Sequence, residues 1–383
     1  MKKRILFIAL AVVLALSVGI IGCNGGQQEE EEEEPERTTI ALSFITFWPS
    51  GDFQAGTGHQ AYMDTIAARV LAETDDYEIE WTAYYAGTAP GSEIYSLIGA
   101  GTYDIGNTGP GYSPGVFPFC DVMNVAGPIL RPNAYTMSLA KKDLYEWSPD
   151  LQAEIAAQDL HLNFFWSVGP GYFLMTEGNE VRTLADFAGK TIRAPHTPGA
   201  EAIIALGAEA LSASMDESKE KFEAGLIQGI LCPTDTPKGF GLAEFVTHMT
   251  FAPCTYDFCF MMIMNEDKYE SLPAKVRDIF DEVDDAWPAY FGQLRTWGEH
   301  AGIEYCRDEV TGWTEYLLPS EDPEEYALWG AAMEPLVDAW VAGDATRQAL
   351  WDKYAELCEY YATTPPYSTW EHSWPTEPPV PSF

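Results

Sequence analysis

The segment Leu184-Ala185-Asp186-Phe187-Ala188-Gly189-Lys190-Thr191-Ile192-Arg193-Ala194-Pro195 reads as a turn, a strand and a stop. Gly189 closes a short helical turn, Lys190 to Arg193 are extended, and Pro195 lacks the N–H that a further ladder bond would need. Side chains alternate along a strand, so Arg193 faces away from the apolar Ile192 and stands at the strand's carboxyl end. In an open α/β sheet, ligands sit outside that end. A guanidinium there is a planar fork for a carboxylate or a phosphate.

Working outward, the same grammar repeats. His161 to Trp166 is a strand broken by Val168-Gly169-Pro170-Gly171, a candidate crossing between two lobes. Downstream, helices are expected at Pro198 to Leu206 and Asp216 to Ala224, then a strand at Gly225 to Leu231 and a very apolar one at Thr255 to Asn265. A long helix follows from Pro273 to about His300, with a bend expected at Trp287-Pro288. Two more helices fill Pro323 to Trp340 and Ala345 to Tyr361. Upstream, Thr39 to Phe44, Glu78 to Tyr85 and Tyr103 to Thr108 are strands separated by helical stretches, one period running from Lys141 to Gln158. This alternation argues for parallel α/β lobes.

Composition narrows the function. Apolar residues at 46% and aromatics at 13% place the body among globular chains. A formal charge of −38 over 383 residues leaves no basic stripe for nucleic acid and repels an anionic membrane surface. The six histidines are scattered, and no Walker loop, GxSxG elbow, HExxH or EF-hand spacing appears, so neither a metal nor a cofactor is expected. His196, beside the Arg193 strand, is the one histidine that stands out. Cys120, Cys232, Cys254, Cys259, Cys306 and Cys358 show no zinc spacing and are expected as buried free thiols.

The front end reads as an export address. Met1-Lys2-Lys3-Arg4 is basic, Ile5 to Val18 is apolar, and Ile20-Ile21-Gly22-Cys23 matches a bacterial lipobox. The expectation is a signal peptide over 1–22 and a lipidated Cys23. An acidic tether follows over 23–37, and a Pro-rich tail ends the chain over 362–383.

Four segments in order resemble the solute receptors of tripartite ATP-independent periplasmic (TRAP) transporters, in the C4-dicarboxylate-receptor branch. They are Ala86 to Glu93, Gly101 to Gly106, Leu184 to Arg193, and Asn265 to Pro273. The resemblance implies a bilobed α/β fold of two mixed-sheet lobes with a hinge and a long connecting helix. Lobe I would comprise 38–170 plus 251–290. Lobe II and the connecting helices would comprise 171–250 plus 291–361. The resemblance also implies that Arg193 grips the ligand carboxylate.

The chain departs from the family pattern in ways that shape the expected ligand. Phe173 stands where many members carry a second arginine, and the Tyr112 position is basic in some relatives. Gln228-Gly229-Ile230-Leu231-Cys232-Pro233 replaces a more acidic run. The expected pocket is poor in charge and rich in rings: Trp48, Tyr112, Trp166, Phe173 and Tyr256, with Thr108, His196, Met215 and Pro233 completing the set. A monocarboxylate with an apolar or aromatic body suits it. The expected role is an extracytoplasmic, lipid-anchored solute-binding protein, not an enzyme, whose partners are a small organic acid and the membrane subunits of a TRAP transporter. A ligand-sensing receptor of the same fold is the alternative, and a secreted enzyme on a similar scaffold is a further one.

Overall fold

The computed structural model describes residues 37–50, 55–213, 215 and 217–364. The signal peptide, the tether up to residue 36, Cys23 and residues 365–383 of the expected tail lie outside the described residues.

β1 (Thr38–Thr46) alternates, burying Leu42 and Phe44 while Ala41 is exposed. α1 (Ala55–Glu73) leads to β2 (Tyr77–Tyr84), and α2 (Gly91–Gly99) leads to β3 (Ile105–Thr108). Both strands lie parallel to β1, with Phe44 opposite Ile105, as right-handed β-α-β units require. The helical period over 141–158 is divided in the structure. α3 (Ala134–Trp147) stops at Ser148, whose hydroxyl accepts from the Leu151 N–H and starts α4 (Pro149–Ala156) behind a first-turn proline. β4 (Leu160–Ser167) then closes one edge of the first sheet.

The chain next builds a second sheet. β5 (Tyr172–Met175), β6 (Thr191–Ala194), α5 (Thr197–Ala205), β7 (Glu209–Ser212), α6 (Ser218–Glu223), β8 (Gly229–Cys232), α7 (Thr236–Gly239) and β9 (His248–Phe251) follow in order. β10 (Cys259–Asn265) returns to the first sheet, antiparallel between β3 and β4. After α8 (Glu266–Ser271) and α9 (Ala274–Glu309), β11 (Thr314–Leu317) adds an edge to the second sheet. α10 (Leu318–Glu321), α11 (Pro323–Val341) and α12 (Ala345–Thr363) complete the described chain. The strand orders are β2-β1-β3-β10-β4 and β11-β9-β5-β8-β6-β7. This is the expected bilobed fold of two mixed α/β sheets. β5, β7, β9 and β11, four residues each, escape the sequence reading.

Two short segments carry the chain between the sheets, 168–171 outward and 252–258 back, and they run side by side, while α9 carries it across once more to β11. Ala252 N–H donates to the Gly171 carbonyl at 3.0 Å and Val168 N–H to the Phe258 carbonyl at 3.4 Å. Glycine is required on the outward segment. Gly169 has φ +112°, and a Cβ there would meet Glu299 Oε1 at 1.8 Å. A Cβ on Gly171 would meet Thr255 Oγ1 at 2.7 Å.

Buried charges fix both segments. Lys141 Nζ lies 2.5 Å from Asp257 Oδ2, which also accepts from Tyr354 Oη at 2.7 Å, and Asp257 Oδ1 accepts from Ser167 Oγ at 2.9 Å. On α9, Arg295 Nη2 donates to the Val168 carbonyl at 3.2 Å and meets Asp235 Oδ1 at 3.3 Å. α9 runs unbroken through Pro288, where a bend was expected, and packs on α1, α3 and β4 as well as α7.

α12 was grouped with the second lobe in the sequence. It packs instead on α3, where Leu350, Trp351, Tyr354 and Leu357 join the core that contains Ile45 and Met261 of the first sheet. Its apolar spacing is compatible with either partner, and packing decides between them. All six cysteines among the described residues are free and buried. No helix among the described residues is long and apolar enough to cross a membrane.

Candidate functional site

Register sets the faces of the second sheet. Arg193 lies level with Ile230 on β8 and Leu211 on β7, so its side chain shares a face with Tyr172 and Cys232. Ile192, Phe173 and Leu231 take the other face, where Phe173 packs edge-on against Phe187 and Trp329, with centroids 5.1 and 5.8 Å away. The structure therefore does not bring Phe173 to Arg193.

Arg193 is 3% exposed, and its Nε donates to the Ala213 carbonyl at 2.8 Å, which orients the guanidinium. Its charge reaches Tyr112, His196, Cys232 and Tyr256, each of whose ionisation it biases. Tyr112 belongs to the turn after β3, so the guanidinium acts on groups from both lobes.

His196 caps α5, its Nδ1 accepting from the Gly199 N–H at 3.0 Å. Burial first, and then the Arg193 charge, push its pKa down to about 3, opposed by the Asp257 backbone. The ring is therefore neutral near pH 7. Because Nδ1 accepts, the proton sits on Nε2. The same ring stacks on Tyr256 at 5.6 Å and meets Phe258 at 4.8 Å. The phenols of Tyr112 and Tyr256 are held well above their ordinary pKa by burial, so both remain hydrogen-bond donors.

The first lobe contributes a continuous cluster of rings. Phe258 touches Tyr112 and Phe260, each at 4.7 Å. Phe260 stacks on Trp166 at 4.7 Å and meets Trp48 at 5.8 Å. Tyr112 stands edge-on to Phe47 at 5.4 Å. A cavity of about 340 Å³ lies next to this cluster, walled by Gly111, Pro114 and Asp121, by Thr197, Pro198 and Glu201, and by Trp340 and Arg347 of α11 and α12, while Arg193, His196 and the rings themselves do not line it. It borders both lobes.

Of the residues expected from sequence, Arg193, His196, Tyr256 and Tyr112 thus converge, and Trp166 and Trp48 join through Phe260. Thr108 donates from Oγ1 to the Gly91 carbonyl at 2.6 Å and ties the end of β3 to α2. Met215 packs against the Phe222 and Leu242 core of the second lobe. Pro233 is buried one residue beyond Cys232, and its carbonyl accepts from Thr236 Oγ1 at 2.8 Å. Sequence reasoning missed Phe258 and Phe260. The signal was there, because residues 258–264 alternate with Phe258, Phe260, Met262 and Met264 on one side and Cys259, Met261 and Ile263 on the other.

A family profile, DctP, described as bacterial extracellular solute-binding protein, family 7, matches residues 71–344. The chain belongs to this family. Its expected kinship with TRAP receptors is borne out, and the family is one of extracytoplasmic binding proteins.

Solved structures of similar fold include a TRAP solute-binding protein from Rhodoferax ferrireducens in complex with copurified benzoate. It is 21% identical, with a TM-score of 0.73, covering 84% of this chain and 98% of that one. Another, from a marine metagenome and specific for aromatic acid ligands, holds 3-hydroxybenzoate. It is 21% identical, with a TM-score of 0.74 over 84% of this chain and 99% of that one. A third, from a Sulfitobacter species, holds β-D-galacturonate. It is 13% identical, with a TM-score of 0.68 over 83% of this chain and all (100%) of that one. At these identities the likeness speaks for the fold.

Proposed function

We propose that this receptor captures a monocarboxylate with an aromatic or otherwise apolar body and delivers it to the membrane subunits of a TRAP transporter. One observation carries the reading: Arg193 is buried at the carboxyl end of a strand in the second lobe, three residues before His196, whose ring packs on Phe258, which in turn packs on Tyr112 of the first lobe. A carboxylate between the lobes would take paired hydrogen bonds from the guanidinium, with the His196 Nε2–H and the two phenols within the same group of donors. Phe258, Phe260, Trp166 and Trp48 would cover the apolar body. Relatives of the same fold hold benzoate and 3-hydroxybenzoate, which suits that lining, whereas a galacturonate-bound relative shows that the fold by itself does not choose the ligand.

Capture proceeds by hinge closure. The lobes divide at the 168–171 and 252–258 segments, the ligand bridges them, and closure excludes water and forms the face read by the transporter. The role is binding and release without turnover, from a position outside the cytoplasm fixed by lipid on Cys23. Intact-mass analysis of the mature protein would show a diacylglyceryl adduct at that cysteine, and an unmodified thiol would remove the anchor. A thermal-shift screen against carboxylates tests the ligand class. Aromatic monocarboxylates should raise the melting temperature and be recovered unchanged, because a ligand bound only to the folded state stabilises it. A response confined to sugar acids or dicarboxylates would overturn the reading.

A further inference from the structure

Among the described residues some indole and imidazole nitrogens are paired and others, including Nε2 of His196, are not. Trp81 Nε1 donates to the Met63 carbonyl at 3.0 Å, Trp313 Nε1 to Glu315 at 2.8 Å and Trp329 Nε1 to Glu325 at 2.9 Å. His248 bonds through both ring nitrogens, to Thr314 and Thr250. By contrast, among the described residues Trp48 Nε1, Trp166 Nε1 and both nitrogens of His59 are buried with no hydrogen-bond partner. These three side chains stand together. Trp48 and Trp166 both pack on Phe260, and His59, on α1, lies edge-on to Trp166 at 6.4 Å and stacks on Phe291 at 5.6 Å. A polar atom left unmatched in the interior is costly, and nearly all buried polar groups find partners. The two indole donors flank Phe260, and the His59 ring lies beyond Trp166 against Phe44 and Phe291, so the four unmatched atoms share one aromatic wall that a ligand group could satisfy.

Their chemistry defines that group. The two indoles only donate. His59 is 0% exposed, and burial lowers its pKa to about 3, so it is a neutral ring with one donor and one acceptor nitrogen. A phenolic hydroxyl satisfies both kinds, accepting from an indole N–H and donating to the imidazole. A second carboxylate can only accept, and it would leave the acceptor nitrogen of His59 unmatched.

We infer that Trp48, Trp166 and His59 form a second polar pole of the pocket, which selects aromatic acids bearing a hydroxyl at the end remote from the carboxylate. This deepens, and rests on, the reading of Arg193 as the carboxylate partner. It assigns specificity to lobe I, while lobe II holds the charge common to all such acids.

Calorimetric titration of the full-length protein with matched pairs tests it. The pairs are benzoate with 3- and 4-hydroxybenzoate, phenylacetate with 4-hydroxyphenylacetate, and 3-phenylpropionate with its 4-hydroxyphenyl analogue. In at least one pair the hydroxylated acid should bind about tenfold more tightly, the scale of one buried hydrogen bond. His59→Phe, or Trp166→Phe should the first variant not fold, should reduce that preference to about twofold or less. Equal binding within every pair, a preference unchanged in the folded variants, or tighter binding of terephthalate than of any hydroxy acid would overturn the inference while leaving Arg193-dependent binding intact. If no aromatic acid binds, the ligand reading itself falls and this inference falls with it.

Discussion

The first sheet delivers the rings of Phe47, Trp48, Tyr112, Trp166 and Phe260 to the site, whereas the second delivers Arg193 and the imidazole of His196. The 252–258 segment joins the two sets, because Tyr256 and Phe258 touch His196 on one side and Phe258 touches Tyr112 and Phe260 on the other. Neither lobe holds both a charge for the carboxylate and a surface for the ligand body. On the proposed reading recognition is divided, and a ligand that satisfied both halves would also hold the lobes together. Differential affinity of this kind is what biases a two-state hinge toward closure.

The largest expected effect comes from loosening the joining segment. Lys141→Ala leaves Asp257 buried beside its remaining partners without its 2.5 Å ammonium contact, and loss of one partner of a buried pair costs about 3–5 kcal/mol. Denaturant titration of the unliganded protein should show that loss, and an unchanged midpoint would mean the segment is held by packing alone. Next comes the charge of the second lobe. Arg193→Ala should weaken ligand binding by about 2–5 kcal/mol in calorimetry, with stability less affected. Arg193→Lys should recover only part of it, because an ammonium cannot reproduce the fork. Full affinity in either variant would separate the guanidinium from recognition.

A smaller effect is expected in the first lobe. Phe258→Leu removes ring contacts at 4.7 and 4.8 Å and should weaken binding of an aromatic acid by about 0.5–1.5 kcal/mol, with little change for an aliphatic one. An equal loss for both classes would show that Phe258 shapes the site rather than covering the ligand.

A separate effect lies below the first sheet and concerns stability rather than binding. Asp284 is buried, accepts from Tyr62 Oη at 2.6 Å and Asn163 Nδ2 at 2.8 Å, and is pushed up to about 7 by burial against those two bonds. Its folded pKa lies above the unfolded 3.8, so its contribution is complete below that value and lost as pH rises through 7. Wild type should therefore lose stability between about pH 4 and pH 7 and level off above that, and Asp284→Asn should lose less. Equal pH profiles would place the titration elsewhere.

Much of this was legible in the sequence because the decisive elements are punctuated. Gly189 and Pro195 bracket the Arg193 strand, and the glycines of 168–171 mark the first crossing. Alternation then placed Arg193 opposite Ile192, as observed. Phe173 was misplaced for a physical reason. A position inferred from a family arginine says nothing about register, and register turns Phe173 to the far face, onto Phe187 and Trp329. His59 was invisible because it sits in a helix with no cap or motif, and only its unmatched nitrogens single it out. α12, read as part of lobe II and the connecting helices, packs on α3, which is distant in sequence, and amphipathic spacing does not name the surface a helix covers.

The most direct measurement is a thermodynamic cycle between Arg193 and the carboxylate. Benzoate, or the tightest acid found in the screen, and its neutral amide would be titrated calorimetrically into wild type and Arg193→Ala. If the guanidinium of the second lobe reads the carboxylate, wild type prefers the acid by at least about thirtyfold, in keeping with the 2–5 kcal/mol expected for a desolvated charge pair, and the preference disappears in the variant. A variant that still distinguishes acid from amide as sharply as wild type would contradict this and send the search for the carboxylate's partner elsewhere in the chain.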